Sequence, residues 1–185
     1  MSAPGVRRWL RRNRVGLVAT ALLLPAALLA SLSVSWFDYQ GRQGVDAVEV
    51  DRGETGEYLG ASFRLLALES YAAGTPEGER YGVAEGTELV VARLEVRPGP
   101  APAEGEPTRC TVDAVEPRPG GDRVWIAKWD SETDYPEDRD AEMSCALDGE
   151  PYVLEQFFLV APGAGSKVLV QISAFGELPR VLRLR

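Results

Sequence analysis

The sequence has no histidine, only two lysines (Lys128 and Lys167), two cysteines and two methionines among its 185 residues. Without histidine the chain lacks the side chain most used for proton transfer near neutral pH and the commonest zinc ligand. A serine nucleophile would have only Lys128 or Lys167 to activate it, and neither stands in a Ser-x-x-Lys pattern. No G-x-S-x-G, P-loop or dinucleotide fingerprint occurs, and the glycine-rich stretches carry prolines, as turns do. No carboxylate pair stands out for glycoside hydrolysis, because acids are spread along the chain. These gaps point away from an enzyme and imply no cofactor and no metal ion. An enzyme using carboxylates or Lys128 is the residual catalytic reading. The scarcity of lysine beside plentiful arginine reads as the codon bias of a GC-rich genome.

Acidic residues are missing from the first 37 positions, whereas Arg7, Arg8, Arg11, Arg12 and Arg14 crowd the start. Those five of the 20 basic residues leave 15 against 28 acidic groups from Asp38 onward, a formal charge of −13. Such a segment repels phosphate backbones, which excludes nucleic acid as a partner. It also repels anionic headgroups, so it stands off a bilayer.

Residues 15–34 (VGLVATALLLPAALLASLSV) carry no charge. A helix of that length spans about 30 Å, the thickness of the hydrocarbon layer. Trp9 precedes the run, and Trp36, Phe37 and Tyr39 follow it as interfacial aromatics do. The arginines place the N-terminus in the cytoplasm and the C-terminus outside. Pro25 reads as a tolerated kink. A cleaved signal peptide is the alternative, with small residues at Ala30, Ser31, Ser33 and Ser35 but no clean A-x-A site. Arg7-Arg8 belongs to the basic flank rather than to a twin-arginine signal. No cysteine near the run offers a lipid anchor, and serine rather than glycine follows Met1, which excludes myristoylation.

Beyond a polar stretch, short β-runs alternate with Gly/Pro turns. They fall at 62–71, 88–97, 110–116, 123–129, 142–147, 152–160, 167–173 and 180–185. A short first strand at 47–50 is a further candidate. In 88–97 Val90, Ala92, Leu94 and Val96 share one face, with Arg93 and Glu95 on the other. Residues 152–160 (YVLEQFFLV) are nearly all apolar, which suits a central strand buried on both faces. The pattern predicts an all-β fold, an antiparallel β-sandwich. Its expected core is Val90, Leu94, Val112, Trp125, Leu154, Phe157, Val168, Val170, Ile172 and Leu182.

Cys110 and Cys145 both lie on the side assigned outside, an oxidising compartment, so a disulfide is expected between them. The acidic run 130–142 holds Asp130, Glu132, Asp134, Glu137, Asp138, Asp140 and Glu142. It lacks the glycine and spacing of the standard calcium loop, and reads as a solvated loop. With the proline-rich loop 98–107 it is the candidate partner-contact element.

Gly86-Thr87-Glu88-Leu89-Val90-Val91-Ala92-Arg93-Leu94-Glu95-Val96, and Phe157-Phe158-Leu159-Val160-Ala161-Pro162 followed by KVLVQIS, give the C-terminal part a familiar look. Over about 54–185 it resembles the telokin-like, immunoglobulin-like extracytoplasmic domains of single-pass membrane proteins of GC-rich Gram-positive bacteria. The asparagine usual after the first motif is replaced here by Arg97-Pro98-Gly99. The resemblance implies an Ig-like sandwich and no catalytic residues.

The expected organisation is a cytoplasmic basic tail (1–14), a transmembrane helix (15–37), a polar stalk (38–53) and an extracytoplasmic β-sandwich domain (54–185). The expected function is a non-enzymatic binding or assembly module of the cell envelope, integral to the cell membrane, with another envelope protein as its partner. An extracytoplasmic sensor or solute-binding module, and a secreted protein, are the alternatives.

Overall fold

The computed structural model describes residues 13, 15–16, 20–21, 23–25, 46–100, 108–128, 133–136, 138–174 and 177–185. The chain divides into two units, 1–43 and 44–185. In the first, Val15, Gly16, Thr20, Ala21, Leu23, Leu24 and Pro25 are helical and exposed. Among the described residues no helix is long and apolar enough to cross a membrane. Most of the expected tail and transmembrane helix, and the start of the stalk, lie outside the described residues.

The second unit is built from ten described strands in two five-stranded sheets. They are β1 (Asp46–Val50), β2 (Thr55–Tyr58), β3 (Ala61–Ala72), β4 (Glu88–Arg97), β5 (Thr111–Glu116), β6 (Arg123–Ile126), β7 (Ala141–Glu142), β8 (Tyr152–Val160), β9 (Leu169–Ser173) and β10 (Arg180–Leu184). One short helix, α1 (Pro76–Arg80), and a 3-10 turn (Gly165–Lys167) interrupt them. Sheet A has the order β1-β10-β9-β5-β6, and sheet B the order β2-β3-β4-β8-β7. The all-β expectation holds.

The sheets are mixed rather than wholly antiparallel. β1 pairs parallel with β10, and β7 pairs parallel with β8. Parallel neighbours cannot be joined by a two-residue hairpin. Here almost the whole domain separates β1 from β10, and the disulfide-bonded turn separates β7 from β8. β1, within the expected stalk, coincides with the candidate first strand at 47–50.

Alternation along the strands sets the core. Val90, Ala92, Leu94 and Val96 of β4, and Leu154, Phe158 and Val160 of β8, join Val112, Val170, Ile172 and Leu182 of sheet A in one buried cluster. Both sheets therefore contribute to it. Leu89, Val91 and Phe157 face the other side of sheet B and belong to a second cluster with Val83. Trp125, expected in the core, is only partly buried. It sits on edge strand β6 with the Arg123 guanidinium 5.0 Å from its ring centroid.

Cys110 and Cys145 form the expected disulfide, with Cα atoms 5.0 Å apart. Cys110 N–H donates to Cys145 O (3.1 Å) and Leu147 N–H to Thr108 O (2.9 Å). The Tyr152 hydroxyl donates to Ala146 O (2.9 Å) and accepts from Ala146 N–H (2.7 Å), so this corner is closed on three sides.

The β2–β3 hairpin turns through Leu59 (φ 50°) and Gly60 (φ 78°), the left-handed pair of a two-residue loop that matches strand twist. Gly99 lies directly against Gly60 O; a Cβ there would fall inside van der Waals contact.

Candidate functional site

The outer face of sheet B changes character along its length. Register places Tyr71, Leu89 and Leu159 side by side, then Glu69, Val91 and Phe157, then Ala67, Arg93 and Glu155, then Arg64, Glu95 and Val153. One end is aromatic and aliphatic, the other charged.

Two loops complete the aromatic end. α1 starts at Thr75, whose hydroxyl accepts from Gly78 N–H (3.1 Å), with Pro76 in its first turn. Both are ordinary helix-start chemistry. The helix lasts five residues and releases the chain so that Tyr81 and Val83 reach the sheet. The segment 133–136 crosses opposite. Asp134 N–H donates to Tyr81 O (2.9 Å), and the Asp134 carboxylate fills the space that a side chain at Gly82 (φ 66°) would take. Tyr135 is thereby laid between Tyr81 (ring centroids 4.9 Å apart) and Phe157 (5.5 Å). Tyr71 meets Tyr81 edge-on at 4.8 Å and Tyr135 at 5.8 Å. These spacings are those of favourable aromatic pairs. Phe157 is buried, whereas the three tyrosines are only half-buried.

The Tyr71 hydroxyl donates to Glu69. Burial pushes the Tyr71 phenol well up, and the bond to Glu69 adds to it. Tyr135 is also raised, mainly by burial, with the charges of Glu69 and Glu155 adding to the effect.

At the charged end Arg93 pairs with Asp138, and its Nε lies 3.4 Å from Glu155 Oε1, in ion-pair range though without a hydrogen bond. Glu155 is buried and accepts from Asp138 N–H (3.3 Å), while Asp138 Oδ1 accepts from Asp140 N–H (3.1 Å). Beside them opens a pocket of about 490 Å³, lined by Arg109, Asp138, Arg139, Glu142, Met143 and Glu155 among others. Further along, Arg97 and Arg64 both bond Glu95 and hold its carboxyl below the usual range.

Of the described acids of the acidic run, Asp134, Asp140 and Glu142 are exposed, and Asp138 is half-buried. Asp134 anchors the run at Gly82; Asp138 pairs with Arg93 and caps the turn by accepting from Asp140 N–H, and Glu142 lies in β7 and lines the pocket. Asp130, Glu132 and Glu137 lie outside the described residues, as does 101–107 of the proline-rich loop. Among the described residues no group of three or more Cys, Asp or Glu side chains is placed to hold a metal ion. The residues that build this face and that sequence reasoning passed over are Tyr71, Tyr81, Tyr135 and Glu155. Tyr135 carries a faint signal, an aromatic before proline inside a run of acids. The chain matches no protein-family model, no curated protein and no solved structure.

Proposed function

We propose that the chain is a single-pass membrane protein, N-terminus inside, whose β-domain is an Ig-like sandwich serving outside the cell as a non-enzymatic binding or assembly module of the envelope. The observation that carries the binding role is the outer face of sheet B. Three half-exposed tyrosines, packed on the second cluster and held by two anchored loops, leave an aromatic surface that supports this reading. The anchor is supported by the uncharged run 15–34 with its arginine flank, and by exposed helical Val15 (77%), Leu23 (68%) and Leu24 (58%), side chains that favour lipid over water. The sandwich is supported by the one cluster to which both sheets contribute, and by the telokin-like resemblance.

Three experiments test this. A reporter active only outside the cell, fused after Arg185, is expected to be active; activity of a cytoplasm-only reporter reverses the orientation. Crosslinking in living cells is expected to capture one recurrent envelope protein. Turnover of a cell-wall substrate by the purified chain, abolished by a carboxylate substitution, would overturn the non-enzymatic reading.

The pocket beside Glu155 favours one second reading, a solute-binding module. Its volume suits a small solute, although its lining is charged where such sites are mostly apolar.

A further inference from the structure

We infer that the tyrosine end of the outer face of sheet B docks an extended, arginine- or lysine-bearing segment of a protein partner. This rests on the binding-module reading and names its surface and its ligand chemistry.

The rings come first. Their centroids lie 4.8–5.8 Å apart, so they pack on one another and leave no slot between them. A ligand must lie across the outside of the cluster, over the half-exposed rings. Tyrosine faces attract cations through the ring quadrupole. The domain already uses that attraction: the Arg80 guanidinium sits 5.7 Å from the Tyr81 ring centroid.

Charge is the second argument. Glu69 touches Tyr71, Asp134 adjoins Gly82, and Glu155 and Asp138 hold the Arg93 guanidinium on the same face. Exposed carboxylates of Glu69 and Asp134 thus border the rings, while those of Asp138 and Glu155 are matched by Arg93. The chain from Asp38 onward carries a formal charge of −13, which draws a cationic segment in and holds a second copy of itself off.

Length is the third. From Leu89 in the aromatic row to Arg93 in the charged row is four residues of β4, about 13 Å at strand spacing. An extended segment of about the same number of residues reaches from the tyrosines to the charged row, with a cationic side chain over the rings beside Glu69 and Asp134.

The test uses the full chain in nanodiscs of zwitterionic lipid. The probes are a short alternating arginine–serine peptide, its glutamate–serine counterpart and an N-acetylglucosamine oligosaccharide. The arginine peptide is expected to bind and the others not. Tyr81→Leu and Tyr135→Leu are each expected to weaken binding about two- to five-fold, with thermal melting as the check on folding. Glu49→Gln and Asp51→Asn, on the first strand and its turn, are expected to leave binding unchanged. Equal loss from those remote changes would reduce the effect to net charge and overturn the site. Preference for the oligosaccharide, or self-association of the chain, would overturn the ligand class.

In cells, a photo-crosslinking amino acid at Tyr81 is compared with one at Val124, an exposed position in sheet A. A partner captured at Tyr81 through a peptide rich in arginine or lysine supports the inference. A captured peptide without them, or capture at Val124 alone, overturns it and leaves the binding-module reading standing. Capture at neither position overturns both.

Discussion

The Glu88 carboxylate, at the first position of β4, accepts the backbone N–H groups of Gly163 (2.9 Å) and Gly165 (3.1 Å) from more than seventy residues away. It is buried, and it is the inward-facing neighbour of Val90 in the alternation of β4. One side chain thus satisfies two loop donors that would otherwise lack partners.

Glu88→Ala leaves both donors unpaired; the loss at buried Gly165 costs about 1–3 kcal/mol, and that at exposed Gly163 less, because water reaches it. The urea midpoint is expected to fall accordingly. Glu88→Gln keeps one acceptor oxygen and is expected to lose less. Equal loss from the two would show that the acceptor role is unimportant.

The Cys110–Cys145 bridge spans 35 positions. Chain entropy for such a loop gives about 3–4 kcal/mol of stabilisation. The Cys110→Ser/Cys145→Ser double variant is expected to unfold at correspondingly lower denaturant with an unchanged far-ultraviolet spectrum. Unaltered stability would place the closure of this corner in its hydrogen bonds instead.

Asp113 sits mid-strand in β5 with Oδ1 buried and unpaired, and burial pushes its carboxyl up to about 6. The unfolded value is near 4. The folded state therefore holds a proton that the unfolded state has released between about pH 4 and 6, and stability falls as pH rises through that window. The loss is on the order of 2–3 kcal/mol by pH 7 relative to pH 4. Other carboxylates, Glu95 among them, titrate in the opposite sense, so the readout is the difference between the native chain and Asp113→Asn. That difference is expected to shift in favour of the variant from pH 4 to 7 in denaturation curves; a flat difference would refute it.

Gly99→Ala would place a Cβ on Gly60 O, a backbone atom of a tight turn that cannot rotate aside. Overpacking of this kind costs about 1–3 kcal/mol. Gly149→Ala faces open space and carries only the strain of φ 100°, so it is expected to be milder. Thermal melting of the pair compares steric contact with backbone strain directly.

The strands that could be read from the sequence are those whose pattern is local. β4 and β8 fall on 88–97 and 152–160 as the alternation and the apolar run indicate. β1 is five residues, DAVEV, and owes its strand character to β10 at the far end of the chain, so no local pattern announces it firmly. β7 is two residues long, too short to show a period, where a longer strand around Cys145 was expected. Phe157 is buried as expected, but on the opposite face from Leu154, which its odd spacing from Leu154 already implied. Of the tyrosine face only Tyr135 left a faint trace in the sequence. Tyr71, Tyr81 and Tyr135 lie far apart in sequence, and only the path of two loops brings them together. The disulfide was legible because two cysteines admit one pairing.

The parallel pairing of β1 with β10 has a mechanical meaning. From Asp46 opposite Arg180 to Val50 opposite Leu184, the two strands run the same way. Backbone bonds extend the pairing at both ends, Asp46 N–H to Pro179 O and Arg185 N–H to Val50 O. Tension applied before Asp46 and after Arg185 slides one strand along the other. The bonds lie across that line and must stretch together, whereas an antiparallel pair pulled from one end opens bond by bond like a zip. A domain tethered through β1 and gripped beyond β10 meets a steady tug in shear, where its backbone is hardest to part.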